Sequence, residues 1–141
     1  MRARLLAPRL LAPTLSLIVA GLLAAASAHA QDRAYELRVY TTAEGKLDDL
    51  HRRFREHTIG LFEKHGMTVV AFWTPTDPEK AKNTLVYVLS YPSAEARDAS
   101  WKAFVADPEW QRVYQESHQD GPIVEKVEST MMTPTDYSKL R

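Results

Sequence analysis

The 141-residue chain predicts an α+β sandwich in which one antiparallel sheet is packed by two helices, in the order βαββαβ. Three observations predict it. The segment Tyr35–Thr42 alternates with period two, and Lys46–Gly66 switches to a repeat of three and four. Two short runs, Met67–Thr74 and Thr84–Tyr91, are rich in β-branched and aromatic residues and are separated by a Pro-containing polar loop. A second helical stretch and a last strand, Ile123–Met132, complete the order.

In the first strand Tyr35, Leu37 and Val39 share one face, and Glu36, Arg38 and Tyr40 the other. Ala43-Glu44-Gly45 breaks it. Leu47, Leu50, Phe54, His57, Leu61 and His65 form the apolar stripe of the first helix. Asp48 and Asp49 occupy its first turn, where the helix dipole favours acids. Asp48–Arg52 and Asp49–Arg53 are i, i+4 pairs expected on the solvent side. Gly66 is expected to end the helix as a left-handed cap. Ser93 caps the second helix, with Ala96, Ser100, Trp101 and Phe104 on its apolar face. Asp107-Pro108 restarts it with Asp107 as cap, and Trp110, Val113 and Tyr114 continue the stripe until Gly121-Pro122. Thr133–Arg141 is a polar tail.

This order predicts a ferredoxin-like sandwich with both helices on one face of the sheet. Leu85-Val86-Tyr87-Val88-Leu89 is apolar in both parities, as is Val69–Trp73. A sheet with one wet face alternates, so both faces of these strands are expected to be buried. Two helices cover one face. A second copy of the sheet covers the other most simply, which predicts a homodimer of the dimeric α+β barrel kind. Overhang by the tail within one monomer is the alternative.

Residues 1–30 read as a signal peptide. Arg2, Arg4 and Arg9 form a basic n-region, Leu10–Ala26 is uncharged, and Ala28-His29-Ala30 fits the small-x-small cleavage pattern. Pro8 and Pro13 interrupt its start, and Thr14–Ala26 is shorter than the roughly 20 residues of a membrane span. The expectation is a periplasmic or secreted domain, 31–141, with no stable membrane anchor after cleavage. The chain has no cysteine, which excludes disulfides, and none follows the apolar run, which argues against lipid attachment at the new N-terminus. The three leader arginines are unmatched by acids, so the mature domain carries 15 basic against 18 acidic residues, about −3. That balance argues against a general nucleic-acid binder.

Three segments resemble the NIPSNAP family. They are Tyr35-Glu36-Leu37-Arg38-Val39-Tyr40 with Glu44-Gly45-Lys46, Ala99-Ser100-Trp101-Lys102-Ala103-Phe104 running into Asp107-Pro108-Glu109-Trp110, and Val127-Glu128-Ser129 through Thr133-Pro134-Thr135-Asp136-Tyr137-Ser138. The resemblance runs from Tyr35 to Leu140 and implies the same dimeric α+β barrel. It implies no established reaction and no catalytic set. Eukaryotic members are associated with mitochondria and vesicle or mitophagy biology. A chain with a bacterial-type leader departs from that setting, so those roles are not carried over.

The chemistry then rests on individual residues. The chain lacks a Gly-rich phosphate loop, a serine elbow, a cysteine nucleophile and a paired-carboxylate motif. His57, on the apolar stripe between Phe54 and Leu61, is either a core histidine with one hydrogen bond or a cavity residue able to serve as base, metal ligand or haem ligand. His51 lies about 240° away around the helix, and His65 about 80° round and roughly 12 Å along, so neither makes a metal pair with it. His118, in the last turn of the second helix, is expected to cap it. Trp73, Tyr87, Trp101, Phe104 and Trp110 either fill the core or line a flat apolar pocket. Glu36 and Arg38 are read three ways: a buried pair setting dimer register, a clamp for a substrate carboxylate, or a wet edge pair. The candidate ligand-binding set is His57, Trp73, Tyr87, Trp101 and Arg38. No metal site and no resident cofactor is predicted, with haem carried as one alternative through His57. Three functions remain open. They are a homodimeric binder of a small apolar or aromatic ligand, a cofactor-independent monooxygenase or isomerase or haem-handling enzyme of this barrel type, and a periplasmic protein-interaction module.

Overall fold

A computed structural model describes residues 33–140, so the signal-peptide reading of residues 1–30 lies outside the described residues. The alternating first segment forms β1 (Ala34–Thr42). The first helical stripe becomes α1 (Leu47–Arg53), a π-helical segment Phe54–Thr58, and α2 (Ile59–Lys64), one following directly on another. Then come β2 (Thr68–Trp73), a short 3-10 turn at Lys80–Lys82 and β3 (Thr84–Tyr91). The second helical stretch splits into α3 (Ala94–Ala106) and α4 (Pro108–Ser117), and β4 (Val124–Met132) closes the sheet. The strand order is β2-β3-β1-β4, antiparallel throughout. This is the ferredoxin-like arrangement expected.

Local chemistry accounts for the boundaries. Ser93 Oγ accepts from the Ala96 amide at 3.1 Å, capping α3. The Asp107 carboxylate accepts from the Glu109 amide at 2.8 Å, and Pro108 opens α4 where no amide is required. Lys64 and His65 also reach Asp107, at 2.8 and 2.7 Å, tying the end of α2 to the start of α4. Those contacts and the Glu109 amide hold the Asp107 carboxyl well below its ordinary range. Gly66 turns the chain after α2 at φ +76°, a conformation that a side chain would strain.

The core lies between sheet and helices. Leu50, Phe54, Leu61 and Phe62 pack against Leu85, Tyr87, Leu89 and Tyr91 of β3 and Phe104 of α3. Phe62 is central, its ring 5.0 Å from Phe104 and 5.5 Å from Trp101. Removing a buried ring of this kind costs about 3–5 kcal/mol. The register places Glu36, Arg38 and Tyr40 opposite Leu89, Tyr87 and Leu85, on the helix side. Tyr35, Leu37 and Val39 therefore face the other way, beside Val86 and Val88. On that open face Leu37, Val39, Val86 and Val88 are only half-buried, while Tyr35, Val88 and Trp73 border a hollow with Pro134 and Leu140 of the tail.

Two irregularities change which residues face the core. In the π-helical segment Thr58 Oγ1 donates to the Arg53 carbonyl, five residues back, at 3.2 Å. The added residue per turn moves Thr58 and Phe62 inward and His57 outward. In β2 the pairing shifts between Val69 and Ala71. Val70 is the extra residue of a β-bulge, so Phe72 faces the helices opposite Tyr87 and Trp73 faces the open side opposite Val86.

Candidate functional site

Two neighbouring features occupy the helix side of the sheet: a closed charge cluster and an aromatic cavity. Glu36 is the centre of the cluster and is fully buried. Its carboxylate accepts from Arg38 Nη1 (2.5 Å), Arg97 Nη2 (2.8 Å), Tyr91 Oη (2.6 Å), Trp101 Nε1 (3.0 Å) and Ser129 Oγ (2.6 Å). Burial pushes this carboxyl up, but the bonds from Arg97, Ser129, Tyr91 and Trp101 outweigh burial and hold it well below the ordinary carboxylate range. Arg38 also donates through Nε to the Tyr87 hydroxyl at 2.9 Å, and its guanidinium lies 4.2 Å from the centre of the Trp101 ring. Every oxygen of the carboxylate is engaged, and the cluster joins β1, β3, β4 and α3.

This corrects the readings of Glu36 and Arg38. They are not a wet edge pair, and they do not lie between two facing sheets. They sit under α3, because the polar parity of β1 is the one the helices cover. Neither is an open clamp, since Glu36 and Tyr87 already occupy the Arg38 guanidinium. Tyr87 is fully buried within the same cluster.

Beside the cluster, between α3, α4, the π-helical segment and the β1–β4 side of the sheet, is a cavity of about 510 Å³. Its apolar walls are Tyr40, Phe54, Phe62, Trp101, Phe104 and Trp110, with Val124 from β4. The rings interlock: Phe104–Trp110 centres are 4.4 Å apart, and Tyr114 stacks on His118 at 3.9 Å. Val105, Tyr114 and Val127 form a rim that is 56%, 47% and 47% exposed. Polar groups in the lining are Arg53, Thr58, Gln111, Gln115 and His118. His118 Nδ1 lies 2.7 Å from the Tyr114 carbonyl oxygen, which only accepts, so Nδ1 carries the proton and a neutral ring leaves Nε2 as an acceptor. This contact also makes His118 the cap of the last turn of α4. Among the described residues no group of three His, Cys, Asp or Glu converges as a metal site.

Of the five sequence candidates, Trp101 alone lines this cavity. His57 is a correction. The π-helical turn carries it off the apolar stripe into an outer groove with Glu56, Glu116 and Asp120, so it offers no base or haem ligand to the cavity. Trp73 is a second correction. The bulge in β2 turns it to the open face, where it is 50% exposed. Arg38 and Tyr87 lie behind the wall, in the cluster. Sequence reasoning missed Tyr40, Arg53, Tyr114 and His118. The expected Asp49–Arg53 pair does not form. Asp49 pairs with Lys46 and Arg52, and Arg53 is buried. The spacing Trp110, Tyr114, His118 marks one face of α4 and was the available signal.

A NIPSNAP family model matches residues 35–139. The chain belongs to the NIPSNAP family. Among solved structures it is similar to a NIPSNAP family protein of unknown function from Agrobacterium tumefaciens, with 21% identity over 80% of this chain and 97% of that one, at a TM-score of 0.68. An uncharacterized NIPSNAP-like domain protein from Burkholderia xenovorans matches at 18% identity over 77% of this chain and 90% of that one, TM-score 0.66. A Streptomyces coelicolor monooxygenase from the gene ActVA-Orf6, in complex with Nanaomycin D, shares the fold at 12% identity over 77% of this chain and 92% of that one, TM-score 0.55. No curated protein matches significantly. The NIPSNAP chain thus has the fold of the dimeric α+β barrel proteins, as expected from its strand pattern.

Proposed function

We propose that this NIPSNAP protein is an exported homodimer that binds a small aromatic ligand in the cavity between its helices and sheet. The observation that carries the reading is the cavity itself. About 510 Å³ bordered by Trp101, Trp110, Phe104 and Tyr40 suits one flat ligand of a few rings. The half-buried Leu37, Val39, Val86 and Val88 on the open sheet face support pairing with a second copy. The basic, uncharged and small-x-small succession of residues 1–30 supports export.

Native mass spectrometry of the protein recovered from the periplasm tests the reading. A dimer that retains a small non-covalent mass is expected. A monomer contradicts the dimer, and a ligand-free dimer that no aromatic compound loads contradicts the cavity reading.

One observation favours a catalytic variant of this reading. His118 lines the aromatic cavity with Nδ1 held on the Tyr114 carbonyl, so Nε2 of the neutral ring is the nitrogen a general base would use. A related fold holds Nanaomycin D in a monooxygenase, an analogy of fold only. If His118 is a base, His118→Gln abolishes turnover of a bound substrate and leaves its affinity within about twofold.

A further inference from the structure

Arg53 is the one arginine in the cavity wall, and it also borders the outer groove that holds Asp49, Glu56, Glu116 and Asp120. It lies in α1, is 6% exposed, and borders the cavity with its guanidinium 5.4 Å from the centre of the Trp110 ring. Nη1 donates to Ser117 Oγ at 3.1 Å. Nε is buried and has no hydrogen-bond partner. Among the described residues no carboxylate pairs with it, whereas the other buried arginine, Arg38, has Glu36. The ionisable groups acting on Arg53 are the phenols of Tyr40, Tyr114 and Tyr87, not a carboxylate. Burial works against its positive charge. A guanidinium deprived of water is costly to hold charged unless an anion and further hydrogen bonds offset it. Asp49, four residues earlier on the same helix, is engaged with Lys46 and Arg52.

We infer that the ligand of this cavity is an aromatic carboxylate, its rings against Trp110 and its carboxylate received by Arg53. The inference rests on the cavity reading above and narrows it to one chemical class. With Nη1 on Ser117 and Nε closed off from solvent, Nη2 is the donor left for a carboxylate oxygen, in a charge-assisted hydrogen bond. A neutral aromatic of the same shape fills the walls and leaves the guanidinium unpaired. Arg53, not Arg38, is then the residue that selects the ligand.

The test compares 2-naphthoate with 2-naphthamide, an uncharged analogue of nearly the same shape, by calorimetric titration of the purified full protein at neutral pH. Wild type is expected to bind the acid at least about tenfold more tightly than the amide. In Arg53→Met this preference falls to about unity while amide binding persists. Arg53→Lys, which keeps the charge on a different donor, retains part of the preference and guards against a folding defect in the methionine variant. Equal binding of acid and amide to wild type overturns the inference and leaves the aromatic cavity standing. A preference that survives in Arg53→Met also overturns it. Failure of both probes to bind wild type overturns the cavity reading together with the inference.

Discussion

The Trp101 indole donates to the Glu36 carboxylate at 3.0 Å, across 65 residues of sequence. One face of the indole lies under the Arg38 guanidinium, and the residue also borders the cavity. A cavity wall is therefore anchored on a buried charge cluster, so the shape of the site and the stability of the domain share one support.

Glu36→Gln is expected to weaken the fold by about 3–5 kcal/mol, because it leaves the Arg38 and Arg97 guanidinia without their shared acid. Urea unfolding of the variant and wild type measures the difference. A loss under about 1 kcal/mol would mean that the cluster is incidental to stability.

The same carboxylate sets an acid limit. Its folded-state pKa lies well below the ordinary 4.5, so the unfolded chain takes up this proton more readily than the native one. The stabilisation by Glu36 is complete above about pH 4.5 and drains as pH falls below it, through the native pKa. Thermal midpoints are expected to fall steeply below pH 4.5 in wild type and less steeply in Glu36→Gln.

Val86 tests the open face of the sheet. It is half-buried, on the face away from the helices and opposite Val39. Val86→Lys places a charge where a second sheet is proposed to pack. Light scattering is expected to show half the wild-type mass, with cooperative unfolding retained. A wild type that is already monomeric removes the two-sheet arrangement.

Much of the fold was legible because period two and period three-to-four survive in strands and helices that each bury one face. Ser93, Asp107 and Gly66 announced their caps through side-chain or backbone chemistry that acts within a few residues. The site was less legible because two single-residue insertions reverse facing. The bulge at Val70 exchanges Phe72 for Trp73, and the π-helical turn exchanges His57 for Thr58. Neither leaves a mark in local sequence, since each depends on what packs against the element. Arg53 was hidden for a different reason. Its spacing from Asp49 fits a surface pair, yet it lies one position before Phe54 on the buried side of α1.

The three tryptophans give the most direct test of the aromatic cavity. Trp101 and Trp110 border it, and Trp73 lies on the opposite face of the sheet. The indole N–H signals in a two-dimensional nitrogen–proton NMR spectrum report each one separately as 2-naphthoate is added. The account predicts shifts at Trp101 and Trp110 with Trp73 unmoved. A spectrum in which Trp73 alone responds would place the ligand outside this cavity and contradict it.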